Sequence, residues 1–163
     1  MKYLIFKGLH RAFPPPLWIY KNKTQFNWTV KFNRSAVYDI KELQGEINKL
    51  CGLGYFPLDK KDSARFGWRY NKQKDKIELL GYCHIDGKIS VNQQELPIML
   101  LDFDREYILH LHILENSYMF CCDDKIVAVP KTHKKKWAYK LGFFFGGVLP
   151  APHTMSVYLK CNR

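Results

Sequence analysis

Two arginines four residues apart, Arg65 and Arg69, lie in the stretch Ser63-Ala-Arg-Phe-Gly-Trp-Arg-Tyr70, and a second strand-like run follows, Ile77-Glu-Leu-Leu-Gly-Tyr-Cys-His84. An antiparallel hairpin across Asn71 to Lys76 pairs Tyr70 with Ile77, Trp68 with Leu79, Phe66 with Gly81 and Ala64 with Cys83, which makes one face apolar. The opposite face then carries Arg69 against Glu78, Gly67 against Leu80, Arg65 against Tyr82 and Ser63 against His84. Arginine offers a planar fork that fits phosphate or carboxylate, and tyrosine can stack on a base or a sugar ring. Ser63 and His84 add polar contacts, so the six residues Ser63, Arg65, Arg69, Glu78, Tyr82 and His84 form a candidate ligand face. The competing reading is structural: Arg69 and Glu78 make a cross-strand ion pair worth at most about 1 kcal/mol if exposed.

Three further groups carry polar chemistry. His110 and His112 share one face of a strand, but zinc needs three or four ligands and no matching cysteine or carboxylate spacing lies nearby, so no metal is expected. Lys131-Thr-His-Lys-Lys-Lys136 precedes Trp137, and a basic run beside an aromatic suits a single-stranded nucleic acid or an anionic lid as well as a solvated loop. Lys134, Lys135, Lys136 and Trp137 are therefore secondary candidates. In Phe143-Phe-Phe-Gly-Gly-Val-Leu-Pro-Ala-Pro-His153, the prolines stiffen a loop that could hold His153 at a pocket rim or simply end a strand. The sequence holds no Gly-x-Ser-x-Gly, no His-Glu-x-x-His and no phosphate-binding glycine loop, and no catalytic residue or cofactor is assigned.

The elements that must position these residues are short strands. Phe26 to Phe32 alternates cleanly, with Phe26, Trp28, Val30 and Phe32 inward. Tyr107 to Ile113, Tyr118 to Cys122, Ile126 to Val129, Trp137 to Phe145 and Met155 to Leu159 read as further strands, and Asp86-Gly87 as a tight turn. Phe13-Pro-Pro-Pro16 cannot pair inside a sheet and reads as an extended edge or loop. Only Tyr38 to Leu50 has helical spacing, through Ile40, Leu43, Ile47 and Leu50, which predicts a short helix or helical turns near 40–50, ending near Gly52. Many strands separated by turn signals predict an all-β fold, a two-sheet antiparallel β-sandwich in one domain over residues 1–163.

Composition narrows the function. The chain has 26 Lys and Arg against 15 Asp and Glu, a formal charge of +11, and such a field recruits anions such as nucleotides, nucleic acid or acidic glycans. No segment reaches the roughly 18–20 apolar residues of a membrane span, and Lys7 interrupts the short apolar start, so neither a membrane partner nor a secretory signal is expected. Five cysteines without framework spacing read as free thiols in a reducing, cytoplasmic compartment.

At Ser63 to Arg69, Ile77-Glu-Leu79, Gly81-Tyr82, Asp86-Gly-Lys88, Trp137 to Leu141, Phe144 to Gly147 and Ala151 to Met155, the chain resembles a group of small proteins of gut anaerobes and their phages. The likeness spans roughly residues 47–159. It implies a concanavalin-like jelly roll, the shape shared by lectins, laminin-G-type domains and several polysaccharide lyases. Relatives carry histidines where this chain has Lys60-Lys61, and Asp where it has Thr154. Through the phage resemblance, the leading expectation is a non-enzymatic protein that sequesters a small anionic, nucleotide-derived immune signal. The alternatives are a lectin-like module for an oligosaccharide and, third, a lyase or hydrolase of an acidic polysaccharide. Lyases of this shape use Tyr, His and Arg or Lys, an inventory that Arg65, Tyr82 and His84 match. Exposed sheet edges and abundant aromatics also leave room for a homo-oligomer.

Overall fold

The computed structural model describes residues 1–15, 18–92 and 95–162. Thirteen strands follow in chain order: β1 (Lys2–Ile5), β2 (Ile19–Lys21), β3 (Gln25–Phe32), β4 (Asn48–Tyr55), β5 (Ser63–Asn71), β6 (Lys76–Ile85), β7 (Lys88–Val91), β8 (Met99–Leu101), β9 (Tyr107–Ile113), β10 (Ser117–Cys122), β11 (Lys125–Pro130), β12 (Trp137–Leu141) and β13 (Met155–Asn162). They form two antiparallel sheets: six strands in the order β1-β13-β3-β9-β10-β11, and seven in the order β2-β12-β4-β5-β6-β7 with β8 also paired to β6. This is the two-sheet sandwich that the strand pattern predicts.

Alternation builds the core. Phe26, Trp28, Val30 and Phe32 of β3 are all buried, and they meet Ala64, Phe66, Trp68 and Tyr70 of β5 from the other sheet. Phe32 packs on Trp68 with ring centroids 5.1 Å apart, and Phe66 meets Phe120 edge-on at 5.1 Å. Gly81, opposite Phe66, has a packing reason: a Cβ there would come within 2.8 Å of the Phe120 ring. Every pair expected of the β5–β6 hairpin is present, from Ser63 with His84 to Tyr70 with Ile77. Asp86 and Gly87 both adopt positive φ, 50° and 82°, in the turn from β6 to β7.

The helical turns expected near 40–50 are present but short, and one expected strand ends early. Helical geometry near 40–50 is confined to a 3₁₀ turn, Lys41–Gly45, with a second at Arg34–Ala36, whereas Asn48 to Leu50 open strand β4. The three-and-four spacing arose because half-buried Ile40, which caps the turn, and Leu50, on the strand, approach one core, and a bulge between Lys49 and Cys51 buries Leu50 and Cys51 in succession. The strand expected over Trp137 to Phe145 stops at Leu141; beyond it Phe143 and Phe145 enter the core while Phe144 makes isolated bridges to Arg11 and Lys49. Pro16, the last residue of the expected proline loop, lies outside the described residues.

Candidate functional site

The face of the seven-stranded sheet that is turned away from the core holds a groove of about 830 Å³. Its floor comes from β4, β5, β6 and β12, and its walls from Arg11, Ala12, Pro15, Asp59-Lys60 and residues of the segment after β12, among them Phe144 and Gly146-Gly147. Arg65 lies on β5 between core residues Ala64 and Phe66, so alternation turns its side chain into the groove. Its cross-strand partners are Tyr82 on β6 and Gly52 on β4. The guanidinium carbon is 5.7 Å from the Tyr82 ring centroid. Nη2 is 3.5 Å from an Asp59 carboxylate oxygen, and Nε is buried with no hydrogen-bond partner. Burial pulls the Arg65 pKa down despite Asp59, which marks a cation only partly compensated by the protein.

Lys49 approaches from β4. Its Nζ stands 4.9 Å from the Tyr82 centroid and 5.8 Å from that of Phe144, and donates to the Gly146 carbonyl at 3.3 Å. Burial, reinforced by neighbouring Arg65, lowers its pKa to about 8. Burial pushes the Tyr82 phenol up, with Arg65 opposing, so it is a protonated donor at neutral pH. Burial and Arg65 push His84 down and keep it neutral there. His84 Nδ1 lies 3.2 Å from the hydroxyl of Ser63, which is fully buried and positions the imidazole without being open to a ligand. Tyr139 from β12 donates to Asp59 at 3.4 Å, and its ring lies over Gly54, where a Cβ would come within 2.8 Å. The lining carries five cations, Arg11, Lys49, Lys60, Arg65 and Lys140, against one carboxylate, Asp59, so the groove favours an anion.

The other candidates lie elsewhere. Arg69 and Glu78 do not line the groove: Arg69 Nε donates to Glu78 at 2.6 Å and Nη1 to the Gly45 carbonyl at 3.2 Å, while Asn71 donates to the second Glu78 oxygen at 2.7 Å. Burial opposes ionisation of Glu78, but Asn71 and Arg69 hold its pKa below the usual carboxylate value, which is the signature of a closed structural network. His153 donates to or accepts through Nε2 at the Ser35 carbonyl, 2.8 Å away; since a carbonyl only accepts, Nε2 is the donor, and the ring ties the 34–36 turn to the chain before β13. It is not a rim residue of the groove.

The basic run pins loops together. Lys135 binds the buried Asp62 carboxylate at 2.5 Å, His133 approaches Asp62 at 3.4 Å, and Lys134 pairs with Glu115 at 2.5 Å. Lys131, His133, Lys134, Lys135 and Lys136, with Glu115, line a smaller concavity of about 330 Å³, apart from the groove. Trp137 is half exposed beneath Lys21, whose Nζ is 5.1 Å from the ring. His110 and His112 stack at 6.2 Å on the outer face of the other sheet, and His110 Nδ1 lies 2.7 Å from Asn27 Oδ1. Among the described residues no group of three or more His, Cys, Asp or Glu is placed to hold a metal.

Lys49, Asp59 and Tyr139 were not singled out from the sequence. Lys49 was hidden in the expected helix. Alternation along Trp137-Ala-Tyr139 does put Tyr139 outward, but nothing in the chain says that β12 pairs with β4.

No protein-family model and no curated protein matches this chain. Solved structures do. An alginate lyase from a Chlorella virus superposes with a TM-score of 0.63 at 15% identity, over 98% of this chain and 81% of its own. A carbohydrate-binding module from Bacillus subtilis gives 0.46 at 10% identity, over 88% and 74%, and a galectin from Xenopus laevis 0.46 at 8%, over 88% and 99%. None of these bears on an origin in gut anaerobes or phages. What the likeness to the lyase establishes is the architecture: the chain has the jelly-roll sandwich fold.

Proposed function

We propose that the groove binds a segment of an acidic polysaccharide through its uronate carboxylates and cleaves it by β-elimination. The observation that carries this reading is Arg65, a buried guanidinium with an unpartnered Nε on the floor of a groove lined by Lys49, Tyr82 and His84. The fold shared with an alginate lyase supports it.

β-Elimination needs three things: a cation to hold the carboxylate and stabilise the enolate-like charge, a base for the proton α to that carboxylate, and an acid for the leaving oxygen. Arg65 is the carboxylate anchor. Neutral His84 is the base, its ring oriented by Ser63, and the protonated Tyr82 phenol is the acid. Lys49 adds positive charge beside Tyr82. The C–H proton goes to the base, the C–O bond to the leaving sugar breaks, and its oxygen takes the phenolic proton. The product carries a carbon–carbon double bond, and no water or cofactor is consumed. The nucleotide-type ligand expected through the phage resemblance draws no support from the comparisons.

The test is incubation with alginate, other polyuronates and neutral polysaccharides, following the ultraviolet absorbance of the unsaturated product. Wild-type protein is expected to release product from a polyuronate only, and Tyr82→Phe to abolish release while binding persists. Binding without product in the wild type would reduce the function to capture of an acidic glycan. No binding of any polyuronate would overturn the reading.

A further inference from the structure

Asp59 is the one carboxylate among the groove's cations, and its place is specific. It sits in the 56–62 connection between β4 and β5, whose ends are fastened by the Tyr55 amide donating to the Asp62 carbonyl at 3.0 Å. Lys135 fastens the same connection, donating to the buried Asp62 carboxylate and to the Phe56 carbonyl. Asp59 itself is about one-third exposed, receives the Tyr139 hydroxyl, and stands over Gly54, where a Cβ would come within 2.7 Å of its own Cβ. The carboxylate thus reaches Nη2 of Arg65 at 3.5 Å and leaves the Nε side without a partner.

We infer that Asp59 is the specificity-determining residue of the groove, a negative charge at Arg65 that narrows the advantage a dianionic phosphate or sulfate would otherwise have over a single sugar carboxylate. This inference rests on the uronate reading for its preferred ligand, but its physics is general. Repulsion from a fixed charge scales with the charge of the incoming group, so a dianion is penalised twice as heavily in free energy as a monoanion. About 6 Å away in a water-like medium, each unit of ligand charge costs roughly a threefold loss of affinity, hence about tenfold for a dianion. Arg65 would otherwise favour the dianion, because attraction to a cation scales in the same way. Asp59 therefore narrows, by about threefold, the advantage that a dianion would have over a monoanion at Arg65 without it.

Asp59→Asn tests this, since the amide keeps the size and can still accept from Tyr139. Binding of an oligouronate is measured calorimetrically, and inorganic phosphate is titrated separately by thermal shift, on wild type, Asp59→Asn and Asp59→Asn/Arg65→Gln. The expected result is about threefold tighter oligouronate binding and about tenfold tighter phosphate binding in Asp59→Asn, both lost in the double variant. Equal gains for the two anions, no gain, or weaker binding would overturn the filter and make Asp59 a support for Arg65. If no oligouronate binds any of the proteins, the uronate reading fails by itself. The filter then stands or falls on whether phosphate binds Asp59→Asn more tightly than wild type.

Discussion

Arg65 and Arg69 occupy one face of one strand, yet they end in opposite states. Arg69 is saturated: Glu78, the Gly45 carbonyl and Glu95 surround its guanidinium at the turn end of the hairpin. Arg65, at the other end, has one long contact to Asp59 and a bare Nε. A buried cation without full compensation is costly to the fold, and such a cost is typical of a group kept for a ligand. The lesson is that strand alternation selects a face, whereas the loops that reach over it decide which residues on that face are free to bind.

The largest expected effect is on binding at the uncompensated end. Arg65→Gln should weaken oligouronate affinity about a hundredfold, close to 3 kcal/mol, and leave the melting temperature unchanged or slightly raised. A protein that unfolds instead would put Arg65 on the same footing as Arg69. Next comes the saturated end: Glu78→Ala strands Arg69 and should cost about 2 kcal/mol of stability by chemical denaturation, with oligouronate affinity unaltered. Lost affinity there would merge the two ends into one site.

Gly54→Ala sharpens the contrast from below, because its methyl group meets the Tyr139 ring and Asp59. A destabilisation of about 1–2 kcal/mol is expected, with weaker binding as the groove floor is displaced. Smallest is the pH effect at Lys49. Its pKa lies below the ordinary lysine value, at about 8, so the charge that attracts an anion is complete below that pH and is lost above it. Oligouronate affinity should therefore hold level up to about pH 8 and then decline severalfold, while in Lys49→Met the same titration is flat. For the same reason the unliganded wild type gains stability between about pH 8 and the unfolded lysine pKa of 10.5, where only the unfolded chain still binds the proton.

The hairpin was legible because its signal is local: period-two alternation and one short turn fix every pair from Ser63–His84 to Asn71–Lys76. The sandwich was legible for a similar reason, as in β3, whose inward residues all enter the core. What could not be read is pairing between distant segments. Glu95, Gly45 and Asn71 close around Arg69 and Glu78 from three parts of the chain, and only those contacts separate an ion-pair network from a binding face. Lys49 and Tyr139 join the groove through the β4–β5 and β4–β12 ladders, and the β4–β5 register shifts at a bulge between Lys49 and Cys51 that glycines and adjacent apolar residues disguise. His153 is held against Ser35 rather than at the groove, and a proline-stiffened loop says that a side chain is held, not what it is held against.

The strand order of the six-stranded sheet also has a temporal consequence. β13 lies between β1 and β3, so its edges are paired with the first and third strands of the chain, Lys2 with Tyr158 and Phe32 with Val157. During synthesis these early strands wait, with one edge open, for residues 155–162 to leave the ribosome. Contacts of such long sequence separation are slow to form, and open edges invite association with other chains in the meantime. The groove is built entirely on the other sheet and the segments around it, but the sheet that backs it is complete only when β13 pairs with β1 and β3.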